Sequence, residues 1–484
     1  MLRKQLGWAA LLLALGLVPA AAAADERADS RPNILFALAD DWSWPHAGAY
    51  GDKVVRTATF DRVAAEGMLF SHAFSVCPTC TASRAALLTG QWAHRLGESG
   101  NLWSRLDRKY ECYPDLLEAA GYHVGLTGKG WGPGTLKGTG RTRNPAGPAY
   151  KDFAAFLKSV PPGKPFCYWF GSRDPHRPYL RGSGVRSGLK PENVFVPPFL
   201  PDTPEVRGDI CDYYFAVQRY DRDVGAILKL LDAAGKRDNT IVVMTGDNGW
   251  PFPRAKANLY DAGTRQPLAV RWPARVRAGR RSDAYISFED FAPTFLEAAG
   301  LRPPAAMTGR SFLDLLTGAS KAVRDRVFLE RERHANVRAG DLGYPCRAIR
   351  TTQYLYIRNF HPERWPAGDP ELWKAVGPFG DIDGGPSKDV VVNGRDDSVI
   401  GKFFRLACAK RPAEELYDAA KDPHDLVNLA GRPEYAEVQG RLRQELERWM
   451  RDTDDPRAKG DEGRWDRYPY FGPEEKGPRP PRKP

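Results

Sequence analysis

Two pairs of oxygen-bearing side chains follow two apolar runs of the sequence. Asp40 and Asp41 come directly after the run 33–39, and Asp247 and Asn248 come after the run 241–244. Adjacent carboxylates repel each other unless a cation compensates them. Four oxygen ligands suit a hard ion such as Ca2+ or Mg2+. Each pair also has a plain reading: an Asp pair can cap a turn, and Asp-Asn-Gly is an ordinary turn sequence. A third group is Cys80 with Arg84, in Cys80-Thr81-Ala82-Ser83-Arg84. A cysteine in the first turn of a helix can be activated by the amide dipoles. Arg84, four residues on, shares that helix face and can hold an anion or orient a group derived from the cysteine. The Cys77-Pro78-Thr79-Cys80 spacing also invites a redox or zinc reading. The chain has no second cysteine pair at zinc spacing, and redox chemistry leaves Arg84 and the oxygen ligands unexplained.

These groups need a scaffold that brings them together. Residues 33–39 (NILFALA) read as a strand buried on both faces, and 122–126, 165–170 and 241–244 read as further strands. Phe60, Val63, Ala64 and Met68 fall at helical spacing, and 82–88 is a second helix. Ile210, Tyr214, Val217, Val224, Ile227, Leu228 and Leu231 mark a long amphipathic helix. Strands alternating with helices predict an α/β fold, a mostly parallel sheet between helices. Such sheets bind ligands beyond the carboxyl ends of their strands, where both acidic pairs fall. After about residue 340 the pattern changes. Paired strands at 347–350 and 354–358, and a helix at 433–450, predict a smaller C-terminal α+β domain. The expected division is a signal peptide 1–24, a catalytic domain 25–340, a C-terminal domain 341–452 and an extended tail 453–484.

The chain has 484 residues, 42% hydrophobic and 27% charged, so it is globular and not a coiled coil, a collagen or a multi-span membrane protein. Its net charge of +11 favours an acidic partner: nucleic acid, anionic lipid, or a sulfated or phosphorylated substrate. Arg3 and Lys4, the apolar run 8–18 and the small residues 20–24 form a secretory signal, with the mature chain starting near Asp25. A retained N-terminal anchor is the alternative. No later segment is apolar enough to insert stably in a membrane. The expected location is periplasmic or secreted. Seven cysteines are an odd count, which in an exported protein leaves one unpaired or chemically committed elsewhere; without Cys80 there are six.

The stretch CTASRAALLTG, from Cys80 to Gly90, resembles the signature of the type I sulfatases of the alkaline-phosphatase superfamily. In that family the cysteine is oxidised to formylglycine by a formylglycine-generating enzyme. Ala82 stands where the family usually has Pro, a tolerated variant. The resemblance runs from RPNILFALADD (Arg31 to Asp41) to ELYDAAKDPHDLVNLA (Glu415 to Ala430), nearly the whole mature chain. Asp174-Pro175-His176-Arg177 and GDNGWPFPRAKANLY (Gly246 to Tyr260) look like the sulfamidase, or heparan N-sulfatase, branch. The resemblance implies an alkaline-phosphatase-like sheet, with Cys80 as a hydrated formylglycine. It also implies a calcium ion held by Asp40, Asp41, Cys80, Asp247 and Asn248. Arg84 would steady the diol. Lys129 and Lys256 would hold sulfate oxygens, and His176 would protonate the leaving group. A diol can release the bound sulfate by re-forming the aldehyde, whereas Ser or Cys would remain trapped as a covalent sulfate.

The pattern breaks at two places. Trp131 and Arg173 stand where the family has histidines. Trp131 reads either as core packing or as a platform stacking on a sugar ring, and Arg173 suits a second anionic group on the substrate. The implied function is sulfate release from a sulfated glycan, by N-desulfation or by O-desulfation of another polysaccharide or an aryl sulfate. Phosphoester or phosphonate hydrolysis and an inactive glycan-binding relative are the alternatives; a nucleic-acid partner is not expected.

Overall fold

The computed structural model describes residues 31–320, 324–371, 377–460 and 463–473. The expected signal peptide 1–24 lies outside them. Seven strands form the main sheet: β1 (Asn33–Ala39), β2 (Met68–Phe74), β3 (His123–Gly128), β4 (Phe166–Gly171), β5 (Thr240–Gly246), β6 (Arg265–Arg271) and β7 (Arg280–Ser287). Their order is β3-β4-β1-β5-β6-β2-β7. β3, β4, β1 and β5 are mutually parallel neighbours, while β6 runs antiparallel to both β5 and β2. β1 is central and wholly buried, as a continuous apolar run requires. Its odd and even side chains enter two separate cores, Ile34, Phe36 and Leu38 on one face and Leu35, Ala37 and Ala39 on the other. The long helix Pro204–Ala233 covers the second face, with Thr203 capping its start through the Val206 N–H. The α/β fold with a mostly parallel sheet between helices is therefore present.

Most predicted elements lie where periodicity placed them. One differs: the helix Ala58–Ala65 stops before Met68, which opens β2. Gly67 makes the turn, packed so closely on the Val270 carbonyl that a side chain there would collide with it.

The second sheet is antiparallel, in the order β11-β10-β9-β8, from β8 (Arg326–Arg331), β9 (Cys346–Thr351), β10 (Tyr354–Asn359) and β11 (Glu414–Asp418). Its first strand starts ahead of residue 341. The helix Ala436–Asp452 lays Leu442, Leu446, Trp449 and Met450 into the same apolar cluster as Ile349, Tyr356 and Leu416. Trp449 stacks on Phe328 with centroids 4.7 Å apart and meets Trp92 edge-on at 5.1 Å.

Two expectations need correction. The described part of the tail is packed, not extended: Trp465 is fully buried, donating from Nε1 to the Gly97 carbonyl at 3.1 Å. Arg457 pairs with Glu332. The aromatic and charged residues of this Pro- and Gly-rich segment find partners that composition does not reveal. The cysteines, in turn, are seven free, buried thiols, so their parity lends no support to a special role for Cys80.

Glycines set the strand ends. Gly128 closes β3 at φ 80°, and a Cβ there would strike the Gly171 carbonyl oxygen, which accepts from the Lys129 N–H at 2.7 Å. Gly128→Ala should therefore lower stability by at least about 1–2 kcal/mol, the strain of a left-handed non-glycine residue. Denaturant unfolding measures this; an unchanged midpoint would show that the turn relaxes freely.

Candidate active site

Four neighbouring parallel strands deliver the chemistry at their carboxyl ends. β1 is followed by Asp40 and Asp41, β5 by Asp247 and Asn248, β3 by Lys129, and β4 by the segment that carries His176. The ladder persists past the strands: the Asp247 N–H donates to the Ala39 carbonyl, and the Asp40 N–H to the Asp174 carbonyl. Asp41 turns left-handed at φ 72°, a conformation that Asp tolerates better than most residues, and its N–H donates to Asp247 Oδ1 at 2.9 Å.

Cys80 opens the buried helix Cys80–Thr89 and faces this ridge. Ligand atoms of Asp40, Asp41, Cys80 and Asp247 all lie within 4.8 Å of one another, and all four residues are buried. Cys80 Sγ is 3.5 Å from Asp40 Oδ1 and 4.0 Å from Asp41 Oδ1. Arg84, on the same helix, is fully buried. Its Nε donates to Asp247 Oδ2 at 2.8 Å, one terminal nitrogen reaches Asp40 at 3.3 Å, and the other holds the carbonyls of Lys129 and Gly130 at 2.9 Å. One guanidinium thus clamps three strand ends. Lys129 Nζ donates to both oxygens of Asp40, at 2.6 and 2.8 Å, and Lys256 Nζ to Asp41 Oδ2 at 2.8 Å.

Electrostatics follow from this packing. Burial alone would raise the Asp40 carboxyl, but Lys129, His176, Arg84 and Lys256 hold it well below the usual range. Burial raises Asp247, and the neighbouring Asp40 adds to this while Arg84 opposes it. Burial also drives the Cys80 thiol well above its ordinary value, with Asp247 and Asp40 adding to it against Lys129. Desolvation and two carboxylates therefore oppose the dipole activation that a helix start would give Cys80.

Sequence reasoning missed Asp383. It lies between Asp381 and the helix Pro386–Asn393, and its Oδ2 accepts from Lys256 Nζ at 3.0 Å. Burial would raise it, yet Lys256, His176 and His334 hold it down. Its segment is fixed at both sides: Asp381 accepts from Arg331 and Arg338, and Ser387 donates to Asp209 at 2.6 Å. Asp209 also receives both terminal nitrogens of Arg177 at 2.7 Å, so the same carboxylate steadies the segment carrying His176. Nothing local in the sequence marks Asp383, since no strand precedes it. His334 was missed as well; its Nδ1 is 2.9 Å from Thr79 Oγ1, beside Cys80, and burial lowers it to about 4, so its ring is neutral.

The remaining expected residues separate. His176 borders the cluster, Nε2 lying 3.8 Å from Asp41 Oδ2, with about a third of its side chain open to solvent. Arg173 is exposed and makes no side-chain hydrogen bond or ion pair among the described residues, so it stands outside the cluster. Trp131 is 5% exposed within the main apolar cluster, and its Nε1 has no partner among the described residues. A ring so enclosed has no face to offer a sugar, and the packing reading is the one its burial supports.

The donor set fits a divalent cation. Asn248 donates to Asp41 Oδ1 at 2.7 Å while its own Oδ1, fully buried, has no partner among the described residues. Four carboxylates, counting Asp383, face Arg84, Lys129 and Lys256, one negative charge in excess. A hard cation among the oxygens would satisfy the orphan acceptor and turn that balance positive, suited to an anionic substrate.

Residues 32–139 and 146–301 match the family described as Sulfatase, and residues 246–370 match the C-terminal domain of N-sulphoglucosamine sulphohydrolase. Among curated proteins, the chain is 30% identical to human N-sulphoglucosamine sulphohydrolase, over 92% of this chain and 93% of the relative. It is also 30% identical to an ulvan-active sulfatase of Formosa agariphila, over 87% and 80%. A solved structure in complex with its substrate D-glucosamine-2-N,6-O-disulfate aligns over 90% of this chain and all of its own, at 21% identity and a TM-score of 0.64.

Asn248→Ala would remove a candidate oxygen ligand and no charge. Calorimetric titration of chelator-treated protein with Ca2+ should show binding weakened by roughly 10–100-fold, the range seen even for outer-shell partners of metals. Equal affinity in the variant would remove Asn248 from the ligand set.

Proposed function

The chain belongs to the sulfatase family, and from that premise we propose that it is an exported sulfatase that releases sulfate from a sulfated glycan, most like the heparan N-sulfatases. The observation that carries this reading is the buried meeting of Cys80 with Asp40, Asp41 and Asp247 under Arg84, Lys129 and Lys256. The match of residues 246–370 to the sulphohydrolase C-terminal family, and the likeness to the human sulphohydrolase over 92% of the chain, favour sulfamate as the bond broken. An O-sulfatase is the second reading, because the ulvan-active sulfatase is equally similar in identity.

Formylglycine at position 80, when present, supplies a hydrate hydroxyl as nucleophile and a second hydroxyl whose deprotonation expels sulfate. Asp40, Asp41, Asp247 and Asn248 would hold a calcium ion, which would supply positive charge toward an anionic substrate. The chain's own residues do the rest. An ammonium carries three donors; Lys256 gives two to Asp41 and Asp383, leaving one for a sulfate oxygen. Lys129, anchored on Asp40, adds a second positive charge to the cluster. These fixed cations match the charge that grows on the sulfuryl oxygens and need no reorganisation. His176, at the solvent edge, is placed to protonate the departing amine or hydroxyl. Arg84 is a positioning residue, since most of its donors are committed to protein oxygens. Cys80 and Arg84 are both buried, so a formylglycine-generating enzyme must reach this segment before it folds.

The test is sulfate release from defined saccharides carrying one N-sulfate or one O-sulfate, with an aryl phosphate alongside. Release from a sulfated saccharide and little turnover of phosphate is expected, and phosphate hydrolysis alone would overturn the reading. His176→Ala should slow glycan desulfation by roughly 10^2–10^4, the usual worth of a general acid. It should slow an aryl sulfate with a good leaving group far less; equal losses would contradict the assignment of His176.

A further inference from the structure

Asp383 is not needed to compensate the buried acids. Lys256 already answers for Asp41 at 2.8 Å, and Asp383 is a second carboxylate on the same ammonium, at 3.0 Å. It takes positive potential away from a cluster that would face an anion. A carboxylate so placed weakens anion binding unless it meets another part of the substrate.

Its position indicates which part. Ligand atoms of Asp383, His176 and Asp41 lie within 4.8 Å of one another. The Lys256 ammonium bridges Asp41 and Asp383, so a positive group already joins these acids. His176 turns Nδ1 to the Arg177 carbonyl, and Nε2 is the atom that faces Asp41. With His176 as the acid for the departing group, Nε2 marks the leaving nitrogen or oxygen, and Asp383 stands near that atom. A carboxylate has nothing to accept from sulfate oxygens, so its partner belongs to the leaving sugar.

The carboxylate is available and held still. A quarter of its side chain is open to solvent, and Oδ2 is committed to Lys256. Oδ1 makes no hydrogen bond among the described residues and is not sealed from solvent. Although burial would raise it, Lys256, His176 and His334 keep the group ionised, so it accepts and does not donate. Ile382, just before it, is 4% exposed in an apolar cluster with Phe379, and its carbonyl accepts from Lys388 Nζ at 2.9 Å. With Asp381 and Ser387 anchored as well, Oδ1 is aimed with little freedom.

We propose that Asp383 is a specificity-determining residue: its Oδ1 accepts from a free hydroxyl on the ring carbon next to the one bearing the sulfated nitrogen or oxygen, and it rejects a sugar on which that hydroxyl is itself sulfated. A hydroxyl donates to a carboxylate in a charge-assisted hydrogen bond, whereas a sulfate at the same place would bring like charges together. The inference rests on the sulfatase reading of the cluster and deepens it, by naming what the leaving unit must carry.

Sulfate release from the methyl glycosides of N-sulfoglucosamine, its 3-deoxy form and its 3-O-sulfate tests this. Should the enzyme desulfate only O-sulfated saccharides, the same series is built on the hydroxyl beside that O-sulfate. In the wild type, kcat/KM is expected to fall roughly 10–100-fold when the hydroxyl is removed, the scale of a hydrogen bond to a charged group. It should fall at least as far when the hydroxyl is sulfated. Asp383→Ala should lower turnover of the parent and bring parent and deoxy forms to nearly equal kcat/KM. Asp383→Asn, which keeps the shape of the side chain, should raise the relative rate on the 3-O-sulfate. If Asp383 acts only by holding Lys256, each variant lowers all substrates alike and the wild-type ratios persist. That result, or a wild type that treats parent and deoxy forms equally, would overturn the proposal. A wild type that releases sulfate from no saccharide would instead overturn the functional reading, so the two failures are distinguishable.

Discussion

Three buried carboxylates, Asp40, Asp41 and Asp247, stand within reach of one another at the ends of two adjacent strands, and the site depends on how their repulsion is compensated. Unpaired buried charges of one sign are strongly unfavourable, so each needs a cation with good geometry. Arg84 answers for Asp247 and Asp40, Lys129 for Asp40, and Lys256 for Asp41. The same contacts that make the cluster tolerable place positive groups around Cys80. Structure and chemistry are inseparable here: the cations that let the sheet end in acid are those that would face a sulfate.

Burial among these carboxylates also bears on the state of Cys80. Burial beside Asp40 and Asp247 keeps the sulfur protonated, which makes a thiolate nucleophile unfavourable. A thiol so placed is a poor nucleophile, which agrees with the proposal that position 80 works as a converted side chain. The parallel sheet contributes precision in position, since β3, β4, β1 and β5 share a hydrogen-bonded ladder and their ends cannot shift independently. Asp383 adds a constraint from outside that sheet, binding Lys256 from a segment that Asp381 and Ser387 hold in place.

Much of this was legible in the sequence because the main sheet obeys simple rules. NILFALA and the run before Asp247 could only be buried strands, and strand ends in such sheets are where ligands bind. Asp40, Asp41, Asp247, Asn248, Cys80 and Arg84 therefore came together as expected. Lys129, Lys256 and His176 needed the resemblance, because a lone Lys or His carries no local signal. What escaped depended on tertiary context. Asp383 sits in an aperiodic segment, and its role exists only because that segment folds back on Lys256. Trp131 was ambiguous because burial cannot be read from one aromatic residue. Trp465 and Arg457 lie in a tail whose composition suggests solvation, yet Gly97 and Glu332 supply partners. Cysteine parity misled for a similar reason: pairing depends on proximity, and seven buried thiols remain apart.

The central claim is that Cys80 acts as a converted side chain within a cation-compensated acidic cluster. Mass spectrometry of the Cys80 peptide, with and without an aldehyde-reactive hydrazide, on enzyme preparations graded by specific activity, tests it directly. The account expects activity to rise in proportion to the fraction of peptide carrying an aldehyde, and hydrazide capture to abolish both together. A fully active preparation in which position 80 is wholly an unmodified thiol would contradict it.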